Sequence, residues 1–290
     1  MSDTNPKYTE SLDKARAHLD KKEYENSIKM YFQAYNNTEN NKDRAIIWAE
    51  LSWVYYYEKD YEKAIESSEN VITYDPEYKG MDDVNRMLGY AYLGTNNLSL
   101  AEKYLAQSIA LNDNEDKQQY VKFELGKLYF VQGRYDLSFP YLKDISEFFE
   151  QKDTEYFLSI LFYLGFINYY LENIENSRKI FEQILVSNPD NRRKASALFG
   201  LSFLDFREKN YLNVISLCEK IIEYDENFFD KESVGFLTAA SYFYLGRKDI
   251  FLKYHEEMSA SFPKGRYHDE MIALANSEPD IPVNPDPEKK

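Results

Sequence analysis

Residues Ala45–Pro76 read AIIWAELSWVYYYEKDYEKAIESSENVITYDP, and their spacing decides the fold. Trp48, Leu51, Ser52 and Tyr55 stand three to four residues apart, as one face of an α-helix requires. Tyr61, Ala64, Ile65, Ser68, Val71 and Ile72 repeat that spacing after the polar break Glu58-Lys59-Asp60, and Asp75-Pro76 closes the second run. The stretch is therefore a helical hairpin with an apolar stripe that it cannot bury alone. Such a unit needs a neighbour on each side.

The rest of the chain supplies the neighbours. Aligning on Ser52 finds a small residue at Ala15, Ser52, Gly89, Gly126, Gly165, Ser202 and Ala239, with steps of 37, 37, 37, 39, 37 and 37 residues. The place aligned with Ala64 is also mostly small: Ser27, Ala64, Ala101, Ser138 and Ser177, then Val214 and Phe251. Small side chains at both places predict close approach of the two helices in each hairpin. Leu51, Leu88, Leu125, Leu164 and Leu201 recur in the first helices, with Tyr55, Tyr92, Tyr129 and Tyr242 one turn later. Pro76, Pro189 and Pro263 fall just beyond second helices, where proline ends a helix without breaking it.

These residues resemble the tetratricopeptide (TPR) family. Its Trp–Leu–Gly–Tyr, then Ala, then Pro order is legible in Trp48, Leu51, Ser52, Tyr55, Ala64 and Pro76, and again in Leu88, Gly89, Tyr92 and Ala101. The resemblance implies an all-α solenoid of seven helix-turn-helix hairpins, wound as a right-handed superhelix. The repeats are expected at about 8–41, 45–78, 82–115, 119–152, 158–191, 195–228 and 232–263. A capping helix is expected over 264–277, with Tyr267, Met271 and Leu274 on one face. Residues 1–7 read as a disordered start. Residues 278–290, with four of the nine prolines, read as a disordered acidic tail.

Composition narrows the function. Fifty acidic against 35 basic residues give a net charge of −15, which argues against a phosphate backbone as partner. The single cysteine, Cys218, permits no internal disulfide and reads as a small core residue. No apolar run has membrane-spanning length and no leader is legible at the start, so a cytoplasmic protein without membrane insertion is expected. A periplasmic or envelope protein that has lost its leader is the alternative. No GxGxxG or Walker A loop occurs, and His255-Glu256-Glu257-Met258 lacks the second histidine of a zinc-protease helix, with Ser259 in its place. No enzyme, cofactor or metal is expected, and the chain reads as a monomer.

The informative positions are those of the first helices that face away from the hairpin partner. The resemblance implies that they line the concave surface. They read Trp53, Tyr56 and Tyr57; Arg86 and Tyr90; Tyr120, Phe123, Lys127 and Phe130; Phe162, Phe166, Tyr169 and Tyr170; Phe199, Phe203, Phe206 and Arg207; and Phe236, Phe243 and Tyr244. Ser159, Ser196 and Ser233 stand three residues before Phe162, Phe199 and Phe236, either as one edge of this ladder or as helix-start caps. Contiguous aromatic surface marks binding. The expected function is a scaffold or adaptor that holds a peptide or helix of a partner protein in an aromatic groove, with Lys127 and Arg207 as margin contacts for a carboxylate or carbonyl. The alternative is an accessory subunit of an enzyme or envelope complex that binds through the acidic convex face. Some family members clamp a carboxylate with Lys, Asn and Arg. The matching places here hold Leu12 and Arg16, then Ile46, Glu50 and Trp53, then Asp83, Met87 and Tyr90, so that clamp is missing. Peptide-pheromone receptors of the family often carry a further N-terminal domain, and only Met1–Lys7 precede the first repeat here.

Overall fold

The computed structural model describes residues 5–279, and no strand occurs among them. Helices pair in chain order: α1 (Pro6–Asp20) with α2 (Tyr24–Asn36), α3 (Asn41–Tyr57) with α4 (Tyr61–Tyr74), and α5 (Met81–Gly94) with α6 (Leu98–Leu111). Next come α7 (Glu115–Val131) and α8 (Tyr135–Lys152). The later pairs are α9 (Thr154–Tyr170) with α10 (Ile174–Val186), α11 (Asn191–Arg207) with α12 (Tyr211–Tyr224), and α13 (Lys231–Tyr244) with α14 (Lys248–Ser261). A short α15 (His268–Ala275) packs on α13 and α14. The chain divides into two compact units between Tyr141 and Leu142, inside α8 and one residue past Pro140. In the first unit α3 also touches α5, and in the second α9 touches α11 and α11 touches α13. First helices therefore line up with first helices.

Helix starts follow capping chemistry. Asp60, Asn97, Asn114, Asp153, Asp190 and Asp230 each accept a backbone N–H of the first turn. Asn5 does the same for Lys7, and α1 begins at Pro6 because proline at the first helical position forfeits no bond. Pro6 and Lys7 are thus helical rather than part of a disordered start. At the other end Lys248 holds the Ser277 carbonyl (2.6 Å) and the Glu278 carboxylate (2.9 Å), while residues from 280 on lie outside the described region.

Each hairpin turns in the same way. One residue per turn sits in the left-handed region: Lys22 (φ 60°), Lys59 (63°), Asn96 (58°), Gly133 (71°), Glu172 (63°), Lys209 (64°) and Gly246 (77°). These positions step through the chain with the small-residue period. The following N–H reaches back to the carbonyl five residues earlier, as in Asp60 N–H to Tyr55 O (2.9 Å) and Asn210 N–H to Asp205 O (2.8 Å).

The two small columns meet each other. Ser27 donates to the Ala15 carbonyl (2.8 Å), Ser138 to Gly126 (2.7 Å) and Ser177 to Gly165 (2.8 Å), all twelve residues apart. The serines of the second helices therefore touch the backbone of the first, at the close contact that the spacing predicted. Where the column turns large, the contact is repacked: Phe251 is fully buried with its ring 5.3 Å from Phe243. Leu51, Ala64, Ser68 and Val71 are buried, whereas Ile72 is 37% exposed and lies off the packed face. Cys218 is buried, and burial pushes its thiol up to about 11.

Candidate functional site

In the first unit, Trp53 and Tyr56 on α3 and Tyr90 on α5 are half-buried and form one ring cluster, with centroids 6.1–6.5 Å apart. Tyr57 is 51% exposed at its edge, and the Arg86 guanidinium covers Trp53 at 5.0 Å. Phe123 is buried, so it packs beneath the face rather than lining it. Lys127 lies 2.9 Å from Glu124 and over the Phe123 ring at 5.0 Å, so its ammonium is engaged within its own helix. Phe130 is half-buried and meets Tyr135 at 5.6 Å.

In the second unit the ladder separates into two layers. Phe166, Phe199, Phe236 and Phe243 are buried and form its floor. They were expected as groove-lining rings. The reason they are not is that three are covered by another ring, Phe166 by Phe203 (5.8 Å), Phe199 by Phe228 (5.1 Å) and Phe236 by Tyr267 (4.1 Å, parallel), while Phe243 packs inside its own hairpin against Phe251. Phe162, Tyr169, Phe203 and Phe206 are half-buried and Tyr170 is 46% exposed, so these five form the accessible layer. Burial raises the Tyr169 hydroxyl above its ordinary pKa. Arg207 pairs with Glu172 of the preceding repeat, which holds that carboxylate below the usual range. Neither Lys127 nor Arg207 is therefore an unoccupied clamp.

The same ladder opens into a cavity of about 500 Å³ at the start of α9 and α11. Its apolar wall is Leu158, Phe162, Tyr163, Ile184 and Phe229, and its polar wall includes Ser159, Ser196 and Arg192. Phe229 comes from the α12–α13 connection, is 62% exposed, and touches Phe162 (6.2 Å) and Phe199 (5.8 Å). Residues Glu155, Arg192 and Phe229 stand 37 residues apart, so three successive repeats bring the same place to one cavity.

The serines are not helix-start caps. Ser159 and Ser196 lie in the second turns and donate to the carbonyls of Glu155 (2.9 Å) and Arg192 (3.0 Å), while Asp153 and Asp190 do the capping. Ser233 instead bonds Asp230 (3.0 Å) and the Tyr267 hydroxyl (2.9 Å). Arg193 is ion-paired with both Asp190 and Glu155. Asp190 is held below the usual carboxylate range, first by the Arg193 backbone N–H. Arg192 is exposed and has no ion-pair partner among the described residues. No group of three or more His, Cys, Asp or Glu is placed to hold a metal among the described residues, and no described helix is long and apolar enough to cross a membrane.

Paired helices at a fixed period, with first helix against first helix, define an α-solenoid repeat protein. More particularly, the tetratricopeptide-repeat family model matches residues 45–78 and 85–115, the second and third of the helix pairs. No curated protein matches the chain. Solved structures share its fold. The pilF protein of Pseudomonas aeruginosa aligns with a TM-score of 0.58 at 16% identity, covering 81% of this chain and 99% of its own. A tetratricopeptide-repeat-containing protein from Cytophaga hutchinsonii gives 0.59 at 15% identity, covering 92% and 100%. A signal-transduction ATPase with a tetratricopeptide-repeat sensor, from Pyrococcus horikoshii, gives 0.68 at 16% identity. It is matched over 91% of this chain, which spans 44% of that longer one.

Proposed function

We propose that the chain is a non-enzymatic scaffold that binds a peptide or helix of a partner protein on the aromatic face of its first helices. Tetratricopeptide repeats are in general protein-interaction modules. The observation that carries the finer reading is the accessible aromatic layer of the second unit: Phe162 meets Phe229, Tyr169 meets both Phe203 and Tyr170, and the buried Phe166 joins the two groups from below through Phe162, Phe203 and Tyr170. Rings held half-exposed by other rings are preorganised. They give up water on binding at little cost in side-chain entropy. Extended peptides and amphipathic helices use such surfaces through spaced apolar anchors.

The test measures two quantities on the same variants, using a partner recovered by affinity capture from the source cell. Phe203→Ala should weaken binding by ~2 kcal/mol if it is a hot spot. Phe166→Ala, which removes a buried ring, should instead destabilise the fold by ~3–5 kcal/mol. Loss of stability in both variants with unchanged affinity of the folded fraction would show that the rings serve packing alone.

A further inference from the structure

The ladder has three equivalent rungs, Ser159 with Phe162, Ser196 with Phe199 and Ser233 with Phe236, and the chain covers two of them itself. At the third rung the Tyr267 ring lies parallel on Phe236 at 4.1 Å, and its hydroxyl meets Ser233 at 2.9 Å. Beside it Arg266 pairs with Asp230 (2.5 Å) and Glu232 (3.3 Å). The middle rung is covered by Phe228 and Phe229, which lie 5.1 and 5.8 Å from Phe199. At the first rung, Phe162 and Ser159 face the open cavity instead. The cap therefore displays, within this molecule, what a filled rung looks like: a phenol ring on the phenylalanine, its hydroxyl on the serine, and a neighbouring charge paired with the residues at the rim.

We propose that the open rung takes the tyrosine side chain of a partner peptide, with an adjacent Asp or Glu of that peptide held by Arg192. This rests on the reading of the aromatic face as a peptide site and names what one part of it selects. The ring would lie against Phe162 and Phe229, whose 62% exposure leaves most of its face unused. Ser159 and Ser196 already donate their own protons to backbone carbonyls. Their oxygens are left to accept, and a phenol O–H is the donor they lack. The sign of the flanking charge follows from the rim. Glu155, Asp190 and Arg193 line it and pair with one another, which leaves Arg192 as the lining charge without an ion-pair partner among the described residues, and a carboxylate is its complement. At about 500 Å³ the cavity falls within the ~300–1,000 Å³ usual for ligand sites.

The experiment is selection of a phage-displayed random dodecapeptide library on the full chain, followed by anisotropy titration of the best clones as labelled synthetic peptides. Enriched peptides should pair Tyr with Asp or Glu within two positions. Their affinity should fall about tenfold or more on Tyr→Ala in the peptide, and likewise for Arg192→Glu and Phe229→Ala in the chain. Both chain positions are exposed, and circular dichroism of each variant reports its fold directly; Arg192→Gln provides a milder second variant. Peptides that lack the Tyr–acid pair, or that bind the Arg192 and Phe229 variants at full strength but fail on a Phe203→Ala/Tyr170→Ala double variant, would overturn the cavity assignment and leave the aromatic face standing. Failure to enrich any peptide would overturn both.

Discussion

Phe181 offers the most quantitative test of how the hairpins pack. Its side chain on α10 is fully buried, wedged between Gly165 on α9 and Gly200 on α11. A Cβ at position 200 would lie 2.2 Å from the ring Cζ, 2.3 Å from Cε1 and 2.4 Å from Cε2. Carbon atoms rest at ~3.5–4.0 Å, so Gly200→Ala asks the ring to retreat by more than an ångström. It has nowhere to go, because Phe166 holds its flank at 5.1 Å and a Cβ at 165 would be met at 2.6 Å. Overpacking costs about 1–3 kcal/mol. Contact with a rigid ring on three atoms belongs at the upper end, and alanine's helix propensity returns ~1 kcal/mol. The net expectation is a loss of about 2 kcal/mol. In a Phe181→Ala background the new methyl enters vacated space, so the same substitution should stabilise by ~1 kcal/mol. The resulting coupling of ~3 kcal/mol is at the top of the range for residues in contact. Urea denaturation of the four proteins of the cycle, followed by circular dichroism, measures it. An equal effect of Gly200→Ala in both backgrounds would refute the wedge.

Three other outcomes follow from the geometry. Ser177→Ala removes the bond to the Gly165 carbonyl and should cost ~1 kcal/mol by urea denaturation; an unchanged midpoint would mean that the serine acts only through its size. Lys209 holds a left-handed φ of 64°, which costs L-residues ~1–2 kcal/mol. Lys209→Gly should therefore raise the melting temperature, Gly133→Ala (φ 71°) should lower it, and opposite signs would refute the turn assignment. Cys218 is 2% exposed with its pKa raised to about 11, so at pH 8 it should react with a disulfide reagent only as fast as the fold opens. Rapid labelling of the native protein would place it at the surface.

How much of this was legible in the sequence depends on what each residue touches. The period and its two small columns were legible because a close helix contact excludes large side chains wherever it recurs, and Ser177 meeting Gly165 is that contact. The fate of the rings was not. Phe162, Phe199 and Phe236 occupy the same place in successive repeats, yet one faces a cavity and two are roofed. Their exposure is set by residues 29–31 positions later, Phe228, Phe229 and Tyr267, which read as connection and cap. The sequence signal for Phe229 is a pair of adjacent phenylalanines inside a polar connector, Asp225-Glu226-Asn227-Phe228-Phe229-Asp230, where the equivalent stretch has Tyr78-Lys79. The pairing of Arg207 with Glu172 was similarly hidden, since a charge 35 residues away becomes a neighbour only when the repeat period is applied to polar positions as well as apolar ones.

The most direct measurement for the binding claim is site-specific photo-crosslinking in the source cell. A photoreactive phenylalanine analogue is placed at Tyr170, 46% exposed on the face of α9, and in a separate chain at Val186, 85% exposed at the end of α10. Covalent capture of a partner protein from position 170 and not from position 186 is the expected result. Capture from 186 alone would contradict the account and move the interaction to the second helices.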